Sequence, residues 1–249
     1  MPRLFLTGIF SENQIITIKG EKARYLSTVL RCSRGDQILI TDDKGNSYSA
    51  IIMNISGKEA TAEILGEQSL SRESPLRITL LQGTLKGVKM DLVIQKTTEL
   101  GVNRIIPVIT ERSQLRETRK LLRWQKIAEE ASRQSGRNII PEISKPVEFD
   151  GIFNQPEMIS GKGIIFWEEG GERLSDILKR FDKTAGISLF TGPEGGFTEK
   201  EVETASRNGF SVASLGRRIL RAETAAIAAI SIIQYELGDM GSLNKVFNK

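Results

Sequence analysis

The chain has 249 residues, 39% hydrophobic and 27% charged, with a net charge of +4, which is the profile of a soluble protein of one large or two smaller domains. One cysteine, Cys32, and no histidine exclude an internal disulfide, a Cys/His zinc site, and Ser-His or Cys-His catalysis within one chain. No signal pattern opens the chain, and its longest apolar stretch, residues 225–233, is far short of the ~20 residues a membrane span needs, so a cytoplasmic protein is expected.

The positive charge is unevenly spread. Residues 77–145 hold 14 Lys and Arg against 7 Asp and Glu, whereas residues 1–72 hold 9 against 8 and residues 146–249 hold 12 against 15. A local excess of this size suits a polyanion partner, or else a solvated charged face.

Residues 1–70 read as a small β-rich unit. A short helix is expected over residues 21–31, with Ala23, Leu26, Val29 and Leu30 on one face. Strands follow over residues 37–41, 47–55 and 60–65, separated by the turn clusters Asp42-Asp43-Lys44-Gly45-Asn46 and Ser56-Gly57-Lys58. Short strands with turns between them predict a small barrel. Cys32 is expected to be a buried small hydrophobe. Arg31 and Arg34 flank the helix end, where they could meet phosphate, and Arg3 and Arg24 lie in the same unit. The polar run 67–75, ending in Pro75, reads as an interdomain linker.

After Pro75 the pattern changes to strand–helix alternation. Strands are expected over residues 77–82, 105–109, 163–167, 187–190 and 212–215. Helices are expected over residues 90–100, with Gly101 as the residue closing the end, and over 119–135, 173–181, 198–208 and 223–237. Alternation of this kind predicts a mainly parallel sheet with helices on both faces. The last helix is apolar nearly all round, which predicts burial on more than one side, with a second copy of the chain as one cover.

Two loops carry the chemistry. Leu189-Phe190-Thr191-Gly192-Pro193-Glu194-Gly195-Gly196-Phe197-Thr198 and Leu215-Gly216-Arg217-Arg218-Ile219-Leu220-Arg221-Ala222-Glu223-Thr224-Ala225 each follow a buried strand and lead into a helix. Three glycines and a proline make a turn that leaves backbone groups free to meet a ligand. Thr198-x-x-Glu201 fits a capping box. A phosphate loop GxxxxGK[ST] is absent, and Gln82-Gly83-Thr84-Leu85-Lys86-Gly87 is a poor match to a dinucleotide fingerprint, so ATPase and dehydrogenase readings lose ground.

These two loops closely resemble those of the SPOUT methyltransferases, and within them the ribosomal small-subunit RNA methyltransferase E family. Lys96-Thr97-Thr98-Glu99-Leu100-Gly101-Val102, Glu111-Arg112-Ser113, Gln134-Ser135-Gly136-Arg137 and Leu26-Ser27-Thr28-Val29-Leu30-Arg31 fall in that family's order. Tyr25 stands where a histidine is common in the family, and Arg133 where a glutamate is common. The resemblance implies an α/β fold. A PUA-like β-barrel RNA-binding domain (1–70) would precede a SPOUT α/β domain with a deep trefoil knot (76–249). It implies S-adenosyl-L-methionine as cofactor, held by Leu189, Thr191, Gly192, Pro193, Glu194, Gly195, Gly196, Leu215, Gly216, Ile219, Leu220, Thr224 and Ala225. The implied substrate is a uridine of 16S rRNA in the 30S subunit, methylated at N3 by a homodimer.

The sulfonium of such a donor makes its methyl electrophilic without a metal, so the protein's task is alignment. N3 of uracil must lose a proton, and negative charge then develops on the base oxygens. Arg221 is the candidate to stabilise it. Glu223, Glu194 or solvent would take the proton, Glu223 having the competing role of favouring a helix N-terminus. Arg24, Arg31, Arg112, Arg116 and Arg137 are the candidate RNA contacts, together with the helix face at Arg119, Lys120, Arg123 and Lys126. Two rivals remain: a methyltransferase of the same fold acting on another RNA such as tRNA, and a non-catalytic RNA-binding assembly factor.

Overall fold

The computed structural model describes residues 1–69, 71–114, 120–181 and 186–241. They divide into two compact units. One comprises Met1–Glu73 with Ser132–Ile139, and the other comprises Ser74–Ala131 with the chain from Ile140 onward.

The first unit contains β1 (Arg3–Phe5), β2 (Ile15–Lys19), α1 (Glu21–Arg24), β3 (Gln37–Thr41), β4 (Ser47–Ile55) and β5 (Glu59–Gln68). Among the described residues the strands form one sheet in the order β1-β3-β4-β5-β2, with β1 parallel to β3 and the other pairs antiparallel. Alternation sets the inner face: Ile16 and Ile18 of β2 are buried while Ile15, Thr17 and Lys19 are exposed, as a period of two requires. Two register shifts between β4 and β5 increase the coiling of this mixed sheet. Leu4, Leu26, Ile38, Ile40, Ile52 and Ile64 fill its core.

The helix expected over residues 21–31 is shorter and of two kinds. α1 ends at Arg24, and Tyr25–Val29 winds as a wider π turn in which the Leu30 N–H donates to the Tyr25 carbonyl at 2.9 Å. Arg31 then takes a left-handed backbone (φ 53°). The Cys32 N–H thereby reaches back to the Leu26 carbonyl, which satisfies an orphan helix-end acceptor. Cys32 is buried.

The second unit runs β6 (Ile78–Gly83), α2 (Lys89–Glu99), β7 (Arg104–Ile109), α3 (Leu121–Ser135, whose last turn belongs to the first unit), β8 (Glu142–Ile143), β9 (Val147–Glu148), α4 (Phe149–Phe153), β10 (Lys162–Phe166), β11 (Glu172–Arg173), α5 (Leu174–Leu178), β12 (Ile187–Thr191), α6 (Glu199–Arg207), β13 (Phe210–Ser214) and α7 (Ala222–Glu236). Every described strand pair is parallel, in the order β11-β13-β10-β12-β6-β7-β8, with β9 also against β7.

The central strands are buried on both faces, so they read as continuous apolar runs. Successive side chains go to opposite sides. Leu80, Ile105, Ile164 and Leu189 join the core under α2 and α7. Leu81, Ile106, Ile165 and Phe190 join the opposite core with Phe149, Phe197 and Phe210.

α7 buries Ala226, Ala229, Ile230, Ile233 and Gln234. The buried Gln234 is satisfied on both sides of its amide. Its Nε2 donates to the Leu100 carbonyl at 2.8 Å and its Oε1 accepts from Ser74 Oγ at 2.7 Å. Gly101 closes α2 with φ 88°. Among the described residues no helix is long and apolar enough to cross a membrane.

Candidate active site

In a parallel sheet, ligands sit beyond the carboxyl ends of the strands, at a place where the strand order reverses. Three such ends meet here, because β10 lies between β13 and β12. The loops that leave them enclose a cleft of about 280 Å³, close to the usual lower bound for ligand pockets.

The loop after β12 forms one wall with Thr191, Gly192, Pro193, Glu194 and Gly196. The Gly196 N–H donates to the Pro193 carbonyl at 3.0 Å, and Gly196 has φ 69°, a turn that glycine makes without strain. Behind the wall, Gly83 lies so close that a Cβ there would sit 2.5 Å from the Pro193 nitrogen. The loop's far end is pinned twice. The Phe197 ring packs edge-on to Phe190 at 5.8 Å, and Thr198 forms the expected capping box with Glu201 at the start of α6.

The loop after β13 forms the facing wall with Leu215, Gly216, Arg218, Ile219, Leu220, Arg221, Glu223 and Ala225. Ser214 Oγ accepts from the Gly216 N–H at 3.2 Å, and Gly216 takes φ 107°. Arg221 is the N-cap residue of α7, exposed at the cleft. Glu223 lies in the first turn of α7, whose N-cap residue Arg221 makes no side-chain capping bond. Its Oε2 is shut off from solvent and has no hydrogen-bond partner.

The third wall comes from the end of β10. Phe166, Trp167 and Glu168 line the cleft, and Trp167 Nε1 is likewise buried without a partner. Lys89 of α2 also reaches in, paired with Glu194 at 3.0 Å. Burial alone pushes the Glu194 carboxyl up. The bonds from Lys89, from its own backbone and from the Lys86 N–H outweigh that and hold it below the usual carboxylate value.

The structure thus brings most of the sequence-predicted site into one place, with three exceptions. Leu189 is a fully buried core residue, because its position in β12 points it at α7 instead of the strand end. Gly195 does not line the cleft; its carbonyl faces outward and accepts from Arg112. Thr224 is exposed on α7, off the cleft lining. Sequence reasoning missed Phe166, Trp167, Glu168 and Lys89. The strand end at Phe166 was legible, but nothing local shows that β10 would lie between the two loop-bearing strands.

The arginines expected to meet RNA divide by environment. Arg24 and Arg31 are exposed, Arg24 just before the π turn and Arg31 just beyond it. Arg112 is exposed, with Nη1 on the Gly195 and Phe197 carbonyls at 2.9 and 3.3 Å. Arg137 is instead 2% exposed. Its guanidinium lies on the Glu73 carboxylate at 2.6 Å, so it serves the interior of the first unit and not a phosphate. Arg116 and Arg119 lie outside the described residues. On α3, Arg123 pairs with Asp91 at 2.7 Å.

The residues fit an adenosine-bearing methyl donor. Glycine-rich backbone and the apolar surfaces of Phe166, Leu215, Ile219 and Leu220 line one cleft, together with Trp167 and Glu223, each of which carries a buried polar atom without a partner. A buried polar group left unpaired is costly, and a turn of either side chain toward a ligand in the cleft would relieve that cost. Among the described residues no cluster of acidic or cysteine side chains has the arrangement to hold a metal ion.

Known proteins share this architecture. A family model described as an RNA methyltransferase domain matches residues 72–234, and one described as an RNA methyltransferase PUA domain matches residues 18–65. The chain is 31% identical over 235 residues to ribosomal RNA small subunit methyltransferase E of Bacillus subtilis, covering 90% of this chain and 91% of that one. It superposes with a TM-score of 0.88 on the crystal structure of a ribosomal RNA small subunit methyltransferase E from Neisseria gonorrhoeae bound to S-adenosyl methionine. That protein is 37% identical, with 96% of this chain and 99% of that one covered. A Legionella pneumophila structure in complex with its bound cofactor SAM gives a TM-score of 0.87 at 33% identity, covering 96% of this chain and 98% of that one. With its PUA-like first unit and its SPOUT-type α/β second unit, the chain belongs to the ribosomal RNA small subunit methyltransferase E family of RNA methyltransferases.

Proposed function

We propose that this protein transfers a methyl group from S-adenosyl-L-methionine to N3 of a uridine in the 16S rRNA of the 30S subunit, in the cytoplasm. The observation that carries the reading is the meeting of the 191–196 loop and the 214–225 loop in one cleft, with Arg221 exposed at its edge.

The donor, when bound, supplies a methyl group already activated by its sulfonium. The N3–C bond forms as the S–C bond breaks, N3 gives up its proton, and S-adenosylhomocysteine leaves. The loop of Thr191–Gly196 orients, and Phe166 and Trp167 exclude water. Arg221 stabilises the charge that grows on the two uracil oxygens; a guanidinium stays protonated throughout. Of the two carboxylates, Glu194 is held as an anion by Lys89, which makes it a poor base. Glu223, with an oxygen that has no partner, is the better acceptor for the N3 proton.

Arg24, Arg31 and Arg112, all exposed, supply phosphate contacts, with residues 1–70 as the RNA-binding domain and 76–249 as the transferase domain. Ile232 and Tyr235 of α7 are 41% and 62% exposed, which supports an apolar face against a second copy. Light scattering should then give about twice the 27.7 kDa chain mass.

The test is methyl transfer to 30S particles, to free 16S rRNA and to tRNA, with the modified nucleoside identified by mass spectrometry. N3-methyluridine in 16S rRNA is expected. Arg221→Ala should lower kcat on the order of 10²-fold, the loss typical of a removed charge stabiliser. Methylation of tRNA in place of 16S rRNA would move the reading to the same-fold rival. Absence of donor binding would leave the assembly-factor rival.

A further inference from the structure

Gln82 is the last but one residue of β6 and is fully buried. A buried amide must satisfy two donors and an acceptor, and this one satisfies them on Thr191 and Gly192 together with the carbonyl of its own neighbour Gly83. Nε2 donates to the carbonyls of Gly83 (3.0 Å), Gly192 (3.2 Å) and Thr191 (3.5 Å). Oε1 accepts from Thr191 Oγ1 at 2.8 Å. Thr191 and Gly192 begin the cleft wall, and the adjoining Gly83 lets the Pro193 backbone lie directly against it. The side chain therefore touches the back of the wall whose front faces the ligand.

We propose that Gln82 is a positioning residue for the methyl donor, setting the backbone of Thr191 and Gly192 against which the donor binds. The inference rests on the cleft being the donor site. A loop of glycines has no side chains of its own to choose one conformation, so its shape must be imposed from behind. Only a side chain that is both donor and acceptor can do this. A carboxylate at position 82 would turn lone pairs toward three carbonyl oxygens. A methionine of similar volume would remove this partner from those carbonyls and from the Thr191 hydroxyl.

The test uses the full chain carrying Gln82→Met, Gln82→Glu, Thr191→Val or Thr191→Ser, with S-adenosylhomocysteine binding followed by calorimetry and methyl transfer followed on 30S particles. Gln82→Met should raise the Kd for S-adenosylhomocysteine and the KM for the donor about tenfold, the equivalent of one or two hydrogen bonds. The KM for the ribosomal substrate should not change. Gln82→Glu should bind better as pH falls and its carboxyl gains a proton to donate, a pH profile the parent protein lacks. Should the Gln82 variants fail to fold, Thr191→Val reads the same link from its other end, with Thr191→Ser restoring binding. Gln82→Met combined with Thr191→Val should be no worse than Gln82→Met alone. Unchanged donor affinity in the variants, or equal rises in both KM values, overturns the role of Gln82. Failure of the parent protein to bind S-adenosylhomocysteine overturns instead the assignment of the cleft on which it rests.

Discussion

The guanidinium of Arg133 lies over the ring of Tyr25, 4.5 Å from its centroid. At these two positions the resemblance read from the sequence leads one to expect a histidine and a glutamate, and the fold makes the residues that stand there neighbours. A histidine facing a glutamate would pair by charge. Tyrosine facing arginine pairs through the ring's negative face.

If that contact is an attractive cation–π pair, the two residues are energetically coupled. A double-mutant cycle on Tyr25→Ala and Arg133→Ala, read by chemical denaturation, should give a coupling of about 0.5–1 kcal/mol. Tyr25→Phe should retain it. Additive losses would show the residues to be adjacent without being coupled.

Glu73 is the hub of a second cluster in the first unit. Its carboxylate accepts from Arg137 Nε and Nη2 and from the backbone N–H groups of Asn138 and Ile139. Glu73→Ala strands a buried guanidinium and should cost about 3–5 kcal/mol of stability. The loss should persist at high salt, since a buried pair is poorly screened. A loss below about 1 kcal/mol, typical of a surface pair, would be inconsistent with this burial.

Arg112 joins the basic segment to the glycine-rich loop after β12 through the Gly195 and Phe197 carbonyls. Lysine keeps the charge but cannot reproduce the fixed guanidinium geometry. Arg112→Lys should therefore keep RNA affinity and lose donor affinity, whereas Arg112→Ala loses both. The alanine variant should also lower the slope of log K against log salt by about 1, one phosphate contact fewer. Full donor affinity in Arg112→Lys would confine the residue to the RNA.

The Glu194 carboxyl, held below its ordinary value chiefly by Lys89 against the opposing effect of burial, links stability to pH. A lowered folded-state pKa contributes stability above the unfolded value, near pH 4.5, and that contribution is lost as pH falls through the folded value. The parent protein should be more stable than Glu194→Gln at neutral pH. The gap between their urea midpoints should close as pH falls below the unfolded value and through the lowered folded one. A gap that is constant with pH would mean that the Glu194–Lys89 pair contributes nothing.

Much of the fold is legible in the sequence because its signals are local. The strands at Gln37–Thr41 and Ser47–Ile55 stand where turn clusters and alternation place them. Thr198 and Glu201 close a capping box three residues apart, and the glycines of both loops announce turns wherever the loops end up. The π turn at Tyr25–Val29 was not legible, because its apolar spacing is also that of an ordinary helix. β1 and the two-residue strands β8, β9 and β11 carry too few residues for a pattern, and the apolar Ile15-Ile16-Thr17-Ile18 run of β2 hides its alternation, because exposed Ile15 is as apolar as buried Ile16.

By itself the sequence determined the alternating α/β order, the two glycine loops and the family they mark, since each depends on residues within a dozen positions of one another. The tertiary structure alone decided that β10 lies between β13 and β12 and so adds Trp167 to the site. It alone also turned Arg137 inward to Glu73 and set Gln82 behind Gly192. The physical reason is that a side chain's partner across tens of residues is chosen by packing and desolvation, and neither leaves a periodic mark on the chain.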